Sequence, residues 1–285
     1  MWKARRTTSR ELESGDRLGE YRLESLLGEG GMGLVFRAVG PDGKVVALKV
    51  LRRELGEDEV FRERFGQEAR AAAEVHHPNL VPILGQGEAE GRNYLVVRYA
   101  EGGSLDDRLR EVETLTVDET LGLVEQLALG LDALHASGLV HRDVKASNVV
   151  FDSEGTAMLT DFGLAKGRSY TLLTRPGQVL GTAEYLAPEL VKGQRATPAT
   201  DVYALGCMVY ECLTGKTPFA HKTLVQIGLA HLDDVPPDPS AARPEVGPEL
   251  GQAVLVALEK DPDRRPQSAG AYASLLVSSR PAELA

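Results

Sequence analysis

The hydrophobic pattern of this 285-residue chain changes period at Gly102-Gly103. Before that pair, from Tyr21 to about Arg98, apolar residues come mostly in short strand-like runs. Leu34-Val35-Phe36 and Val45-Val46-Ala47-Leu48 flank Pro41-Asp42-Gly43, whose residues suit a turn between paired strands. One helical stretch interrupts them, from about Asp58 to Val75. Its Phe61, Phe65, Ala69 and Ala72 recur at three- or four-residue steps and give one buried face. His77-Pro78-Asn79 stops it, because proline disfavours helical geometry in the residue before it. Two short apolar runs follow, Leu80 to Leu84 and Tyr94 to Val97.

After the glycine pair, helices take over. Thr116-x-x-Glu119 has the form of a capping box and opens a long amphipathic helix that buries Leu123, Leu127, Leu131 and Leu134 and ends at Gly138. Small strands are expected at Leu139-Val140, Val149-Val150-Phe151 and Ala157-Met158-Leu159. Further helices are expected at about Ala199 to Leu213, apolar nearly all round, and at Leu224 to His231, Leu250 to Leu258 and Ala269 to Val277. The fold class is α+β, a small strand-rich part followed by a larger helical one.

Composition narrows the partners. With 42% hydrophobic residues the chain can build a sizeable core, and its length suits one two-lobed unit or two small domains. A formal net charge of -10 argues against nucleic acid or an anionic membrane as the main partner. Cys207 and Cys212 are too few for a disulfide framework, so a reducing compartment is expected. Met1 to Arg10 is basic and carries hydroxyls, but no apolar core follows, so it is not a signal peptide. The longest apolar stretch, Val202 to Leu213, is too short for a bilayer and contains Glu211. No cysteine–histidine cluster has zinc-ligand spacing.

Chemistry concentrates in a few strings. Gly28-Glu29-Gly30-Gly31-Met32-Gly33-Leu34-Val35 fits G-x-G-x-x-G-x-V between two expected strands. Glycine lets backbone approach phosphate oxygens closely, although a mere glycine turn reads the same way alone. A dinucleotide site would need a helix directly after the glycines; a β-type run follows instead. Lys49 lies on the strand after the turn, where a lone lysine is usually a solvated charge. Glu68 is the matching acid on the following helix, a surface glutamate in the bland account. His141-Arg142-Asp143-Val144-Lys145-Ala146-Ser147-Asn148 crowds polar and ionisable groups into a loop that needs only turn formers. Asp161-Phe162-Gly163 adds a carboxylate, so Asn148 and Asp161 together offer hard oxygen ligands suited to Mg²⁺.

In this order, the strings resemble the eukaryotic-like, bacterial-type serine/threonine protein kinase family, from about Tyr21 to Val277. The resemblance implies a two-lobed protein kinase-like fold. An extension over 1–20 would precede a kinase domain over 21–278, with a β-rich N-lobe at about 21–98, a hinge at 99–103, a helical C-lobe at 104–278 and a tail at 279–285. It makes Asp143 the catalytic base, with Lys145 neutralising the γ-phosphate. Asn148 and Asp161 would hold Mg²⁺, with Mn²⁺ as an alternative, and Lys49 with Glu68 would fix the nucleotide tail. ATP binding falls to Leu27, Gly28, Glu29, Gly30, Gly31, Met32, Gly33, Leu34, Val35, Ala47, Lys49 and Val150. Adenine would meet the carbonyl of Arg98 and the amide of Ala100, after Val97 at the gatekeeper position. Family members often carry glutamate where Arg98 stands, but a backbone contact tolerates the change.

Lys145 and Thr182, within Gly181-Thr182-Ala183-Glu184-Tyr185, resemble the serine/threonine branch. Arg142 before Asp143 resembles kinases with a phosphorylated activation loop, since phosphothreonine adds about -1.5 to -2 charges and can order a loop against arginine. Lys166 would be a second cation there. Thr174, with Thr171, is the expected autophosphorylation site, against the alternative of loop threonines without a regulatory role. Glu189 would pair with Arg265, and Asp201 would accept backbone hydrogen bonds from the catalytic loop. His76 and His135 read as packing or surface residues.

Three other readings compete. A pseudokinase predicts a missing catalytic group, yet Lys49, Asp143, Asn148 and Asp161 are all present. A small-molecule kinase lacks a counterpart to Gly181–Glu189, and an ATP-independent module leaves Asn148 and Asp161 unexplained. Expected partners are proteins bearing serine or threonine, with self-association for trans-autophosphorylation. Because the chain stops at Ala285, the expectation is a free cytoplasmic kinase or one regulated by a separate partner.

Overall fold

The computed structural model describes residues 11–31, 33–56, 58–162, 183–220 and 222–281. Their contacts divide into two compact units. Met1–Arg62 and Leu84–Tyr99 supply the described residues of the first, and Glu63–Ile83 and Ala100–Ala285 those of the second. The stretch Glu63–Ile83, which the sequence groups with the strands, thus clusters with the helices.

The first unit is a six-stranded sheet in the order β1-β2-β3-β4-β6-β5. Its strands are β1 (Arg17–Leu18), β2 (Tyr21–Gly30), β3 (Gly33–Val39), β4 (Val45–Leu51), β5 (Ile83–Ala89) and β6 (Arg92–Arg98). β3 turns into β4 at the expected place: Gly43, at φ 78, donates its N–H to the Gly40 carbonyl. Strand alternation sorts the side chains. Val46, Leu48 and Val50 pack with Leu18, Leu23, Phe36, Ala38 and Val96 into one core on one face. Full burial of each large apolar side chain there is worth about 1.5–3 kcal/mol. Ala47 and Lys49, the intervening residues, are thereby directed to the other face.

A short helix α1 (Arg53–Gly56) leads to α2 (Glu59–Ala73), on which Phe61, Phe65, Ala69 and Ala72 are all buried, as their period predicts. In the second unit α3 (Leu105–Val112) opens on Ser104, whose hydroxyl and backbone N–H form a reciprocal box with Asp107. α4 (Val117–Ala136) opens on Thr116 in the same way: Glu119 N–H donates to Thr116 Oγ1 at 3.2 Å, and Thr116 N–H donates to Glu119 Oε2 at 2.9 Å. Leu123, Leu127, Leu131 and Leu134 are buried.

Leu139-Val140 does not form the expected strand. Leu139 donates its N–H back to the Leu134 carbonyl, and Gly138, at φ 75, donates to that of His135, so this backbone closes the helix. The other two short strands form as expected, β7 (Val149–Phe151) pairing with β8 (Ala157–Leu159). The remaining helices are α5 (Pro188–Val191), α6 (Pro198–Thr214), α7 (Leu224–Asp233), α8 (Pro239–Ala242), α9 (Pro248–Ala257) and α10 (Ala269–Ser278). α6 is buried nearly all round. Asp132 on α4 accepts the Ala269 and Gly270 N–H groups, both at 3.0 Å, and so caps α10. Among the described residues no helix is long and apolar enough to cross a membrane.

Candidate active site

In the first unit the glycine-rich segment is the tip of the β2–β3 hairpin, with Gly30 opposite Gly33 and Gly28 opposite Val35. Its glycines differ in why they are there. A Cβ on Gly33 would sit 1.9 Å from the Val50 carbonyl oxygen, so the sheet itself demands glycine. A Cβ on Gly28 or Gly30 would meet nothing within 4 Å, and neither residue has a positive φ. Internal packing does not explain those two; open space beside bare backbone is what an approaching phosphate needs.

Lys49 lies opposite Val35 on one side and Leu95 on the other, and Ala47 lies opposite Val97. Pairing and alternation therefore set Val35, Ala47, Lys49 and Val97 on one sheet face. Leu34 packs against the core on the opposite face, so only its backbone borders the glycine segment. Leu27 is exposed, and Arg98 ends β6 opposite Val46. Ala100 and Val150 belong to the second unit, where Val150 bridges to Ser104.

In that unit, Asp201 at the start of α6 organises the loop from His141 to Asn148. Its Oδ2 accepts the His141 N–H and its Oδ1 the Arg142 N–H, both at 2.8 Å. His135 Nε2 lies 2.7 Å from the same Oδ2, so His135 belongs to this clamp rather than being mere packing. The bonds hold Arg142 at φ 65, costly for a residue with a side chain and maintained only where neighbours over-determine it. Asp161, at φ 63, is the second such residue in the site.

The clamp presents Asp143 with its carboxylate already engaged. Asn148 Nδ2 donates to the Asp143 carbonyl at 2.8 Å and to its Oδ2 at 3.0 Å, and Lys145 Nζ is 3.1 Å from the same Oδ2. Because the Asn148 amide spends its donor end on Asp143, its Oδ1 is the end suited to a cation. Asn148 enters β7 while Asp161 follows β8, and Val149 lies opposite Leu159. The Thr160 N–H donates to the Asn148 carbonyl at 2.9 Å. Both hard oxygen donors are thus at one end of the same hairpin. The donor set fits a magnesium-like ion. Phe162 is buried, with its ring 6.1 Å from that of His141.

Glu68 is engaged by Arg142, Nη1 to Oε1 at 3.4 Å, while its Oε2 is buried without a hydrogen-bond partner. Burial pushes its carboxyl above the ordinary value, against the opposing pull of Arg142 and Arg64. Farther along, the Tyr185 hydroxyl donates to Glu211 Oε2 at 2.5 Å. Burial pushes Glu211 up to about 7, although the Tyr185 hydrogen bond pulls it down. Glu189 and Arg265 form the expected pair through two 2.9 Å contacts, with Arg265 fully enclosed. Met32, Gly163, Lys166, Thr171, Thr174 and Thr182 lie outside the described residues.

A fixed carboxylate beside an ammonium can accept a proton from a hydroxyl while the cation offsets nearby negative charge, and two hard oxygens can share a divalent ion. The protein kinase domain family matches residues 21–275. Serine/threonine-protein kinase PknA of Mycobacterium tuberculosis is 38% identical over 268 residues, which cover 92% of this chain and 62% of that protein. For PknD of the same species the identity is 40% over 258 residues, covering 90% of this chain and 39% of the relative. The chain therefore spans less than two thirds of the length of these curated relatives. The crystal structure of the M. tuberculosis PknI kinase domain matches with a TM-score of 0.76 at 30% identity, over 94% of this chain and 99% of that one. Glycine hairpin, strand lysine, clamped aspartate and hairpin-borne oxygen pair occur here in a chain that belongs to the protein kinase domain family.

Proposed function

We propose that this chain is a serine/threonine protein kinase, moving the γ-phosphate of ATP to serine and threonine hydroxyls of proteins. The observation that carries the reading is Asp143, held through its backbone by the Asp201 clamp and through its carboxylate by Asn148 and Lys145. Asp143 accepts the substrate hydroxyl's proton and orients its oxygen. Lys145 offsets charge on the transferred phosphoryl group. The amides of Gly28 to Gly33 and the ammonium of Lys49 bind phosphates, and Asn148 and Asp161 hold a divalent ion. Bound Mg²⁺ supplies neutralisation of charge on the phosphate oxygens.

An ion pair of Glu68 with Lys49, autophosphorylation at Thr174 or Thr171, self-association and a cytoplasmic location belong to the same proposal. Buried free Cys207 and Cys212 fit a reducing compartment. Turnover of about 10 s⁻¹ corresponds to a barrier near 16 kcal/mol, which would stand about 3–5 kcal/mol higher without the positioned base. Transfer of radiolabelled γ-phosphate to a generic basic protein tests this. Wild type should transfer label, while Asp143→Ala and Lys49→Met, still folded by circular dichroism, should lose it by 100-fold or more (about 10²–10⁴). Equal incorporation by Asp143→Ala would remove Asp143 from the base's role.

A further inference from the structure

The glycine hairpin carries a charge that phosphate binding makes awkward. Glu29 stands between Gly28 and Gly30, opposite Leu34 and so on the core face of the hairpin, and from there its carboxylate still sets a negative potential around a tip that receives phosphate oxygens. Arg52 meets this charge. Its Nη2 is 2.8 Å from Glu29 Oε1, and its Nη2 and Nε donate to the Gly30 carbonyl at 3.3 and 3.4 Å. Register explains the encounter: Gly33 lies opposite Leu51, so the residue leaving β4 emerges beside the tip. The fork also holds backbone that packing does not, since Cβ atoms on Gly28 and Gly30 would touch nothing.

We propose that Arg52 is a positioning residue for phosphate binding, cancelling the Glu29 charge and tethering the tip through the Gly30 carbonyl. The inference rests on the reading that this hairpin receives the phosphates of ATP. Arginine suits the task because its planar fork reaches two acceptors at once, which a lysine ammonium on a flexible stem does less well. The opposing possibility is an exposed ion pair without consequence, since the two side chains are 43% and 59% exposed.

ADP and adenosine separate the two, because only ADP carries phosphates. Affinities of both are measured by titration calorimetry on the full chain as wild type, Arg52→Ala, and Arg52→Ala with Glu29→Gln. Arg52→Ala is expected to weaken ADP about three- to fivefold and leave adenosine unchanged. Adding Glu29→Gln should restore most of the loss, and the ATP KM should rise in the single variant without a fall in kcat. Unchanged ADP affinity in Arg52→Ala, a parallel loss for adenosine, or failure of Glu29→Gln to restore binding each overturns the proposal. A wild-type chain that binds ADP no better than adenosine overturns both this inference and the nucleotide reading. A wild-type preference for ADP untouched in Arg52→Ala overturns this inference alone.

Discussion

Replacing Arg265 by leucine would leave Glu189 as a buried carboxylate without its counter-charge. The arginine side chain is fully enclosed and donates to both Glu189 oxygens and to the Ala199, Glu259 and Lys260 carbonyls. After the substitution the Thr200 hydroxyl still donates to Glu189, at 2.8 Å, but no cation offsets the charge there. Breaking one side of a buried pair costs about 3–5 kcal/mol, a large part of the roughly 5–15 kcal/mol that holds a native domain. With a denaturant slope of about 2–3 kcal/mol/M, the urea midpoint should fall by about 1–2 M. The pH dependence should also change sign. In the wild type, burial works against the ionised Glu189, but the hydrogen bonds and charge of Arg265 outweigh it and hold the carboxyl below 4.5. Such a depressed group contributes stability that is present above the unfolded value and lost as pH falls through the folded one. In Arg265→Leu burial prevails and the folded value rises, so acidification from pH 7 should relieve part of the penalty. Adding Glu189→Leu should recover much of the loss, because the uncompensated charge disappears. A loss under about 1 kcal/mol, or a variant whose stability only falls on acidification, would refute this reasoning.

Asp201→Asn places an amide NH₂ against one of the N–H donors of His141 and Arg142. It should cost about 1–3 kcal/mol in thermal unfolding and lower kcat more than it raises the ATP KM, and unaltered kcat would count against the clamp. Glu211, raised from 4.5 to about 7 by burial, binds its proton more tightly in the folded chain, so its contribution to stability should decline as pH rises from about 4.5 to about 7. Glu211→Gln should flatten that part of a pH series of melting temperatures; an unchanged slope would assign it elsewhere. Gly33→Ala forces β3 from β4 at the Val50 carbonyl and should cost about 1–3 kcal/mol, whereas a melting temperature within error of wild type would contradict the 1.9 Å approach.

Much of this could be read from local pattern. The Thr116 box and the leucine face behind it concern residues within a few turns of each other, and both formed. The strings proposed to carry catalysis are likewise local, since each packs its polar and ionisable groups into a few consecutive residues. Features that depend on distant partners were not. Ser104-x-x-Asp107 closes with aspartate instead of the glutamate or glutamine that marks a box, so α3 went unseen. Leu139-Val140 is apolar enough for a strand, but the carbonyls left by α4 claim its backbone first. His135 carries no local sign that Asp201, far along the chain, will meet it. Arg52 reads as a surface cation until the strand register brings it to the hairpin tip.

The central claim, that Asp143 directs phosphate to serine and threonine hydroxyls, is tested most directly by phosphoamino-acid analysis. A basic protein acceptor is incubated with labelled ATP, Mg²⁺ and either the wild-type or the Asp143→Ala chain, then hydrolysed in acid. The account predicts labelled phosphoserine and phosphothreonine with the wild type and neither with the variant. Label confined to phosphotyrosine, or the same labelled residues with both chains, would contradict it.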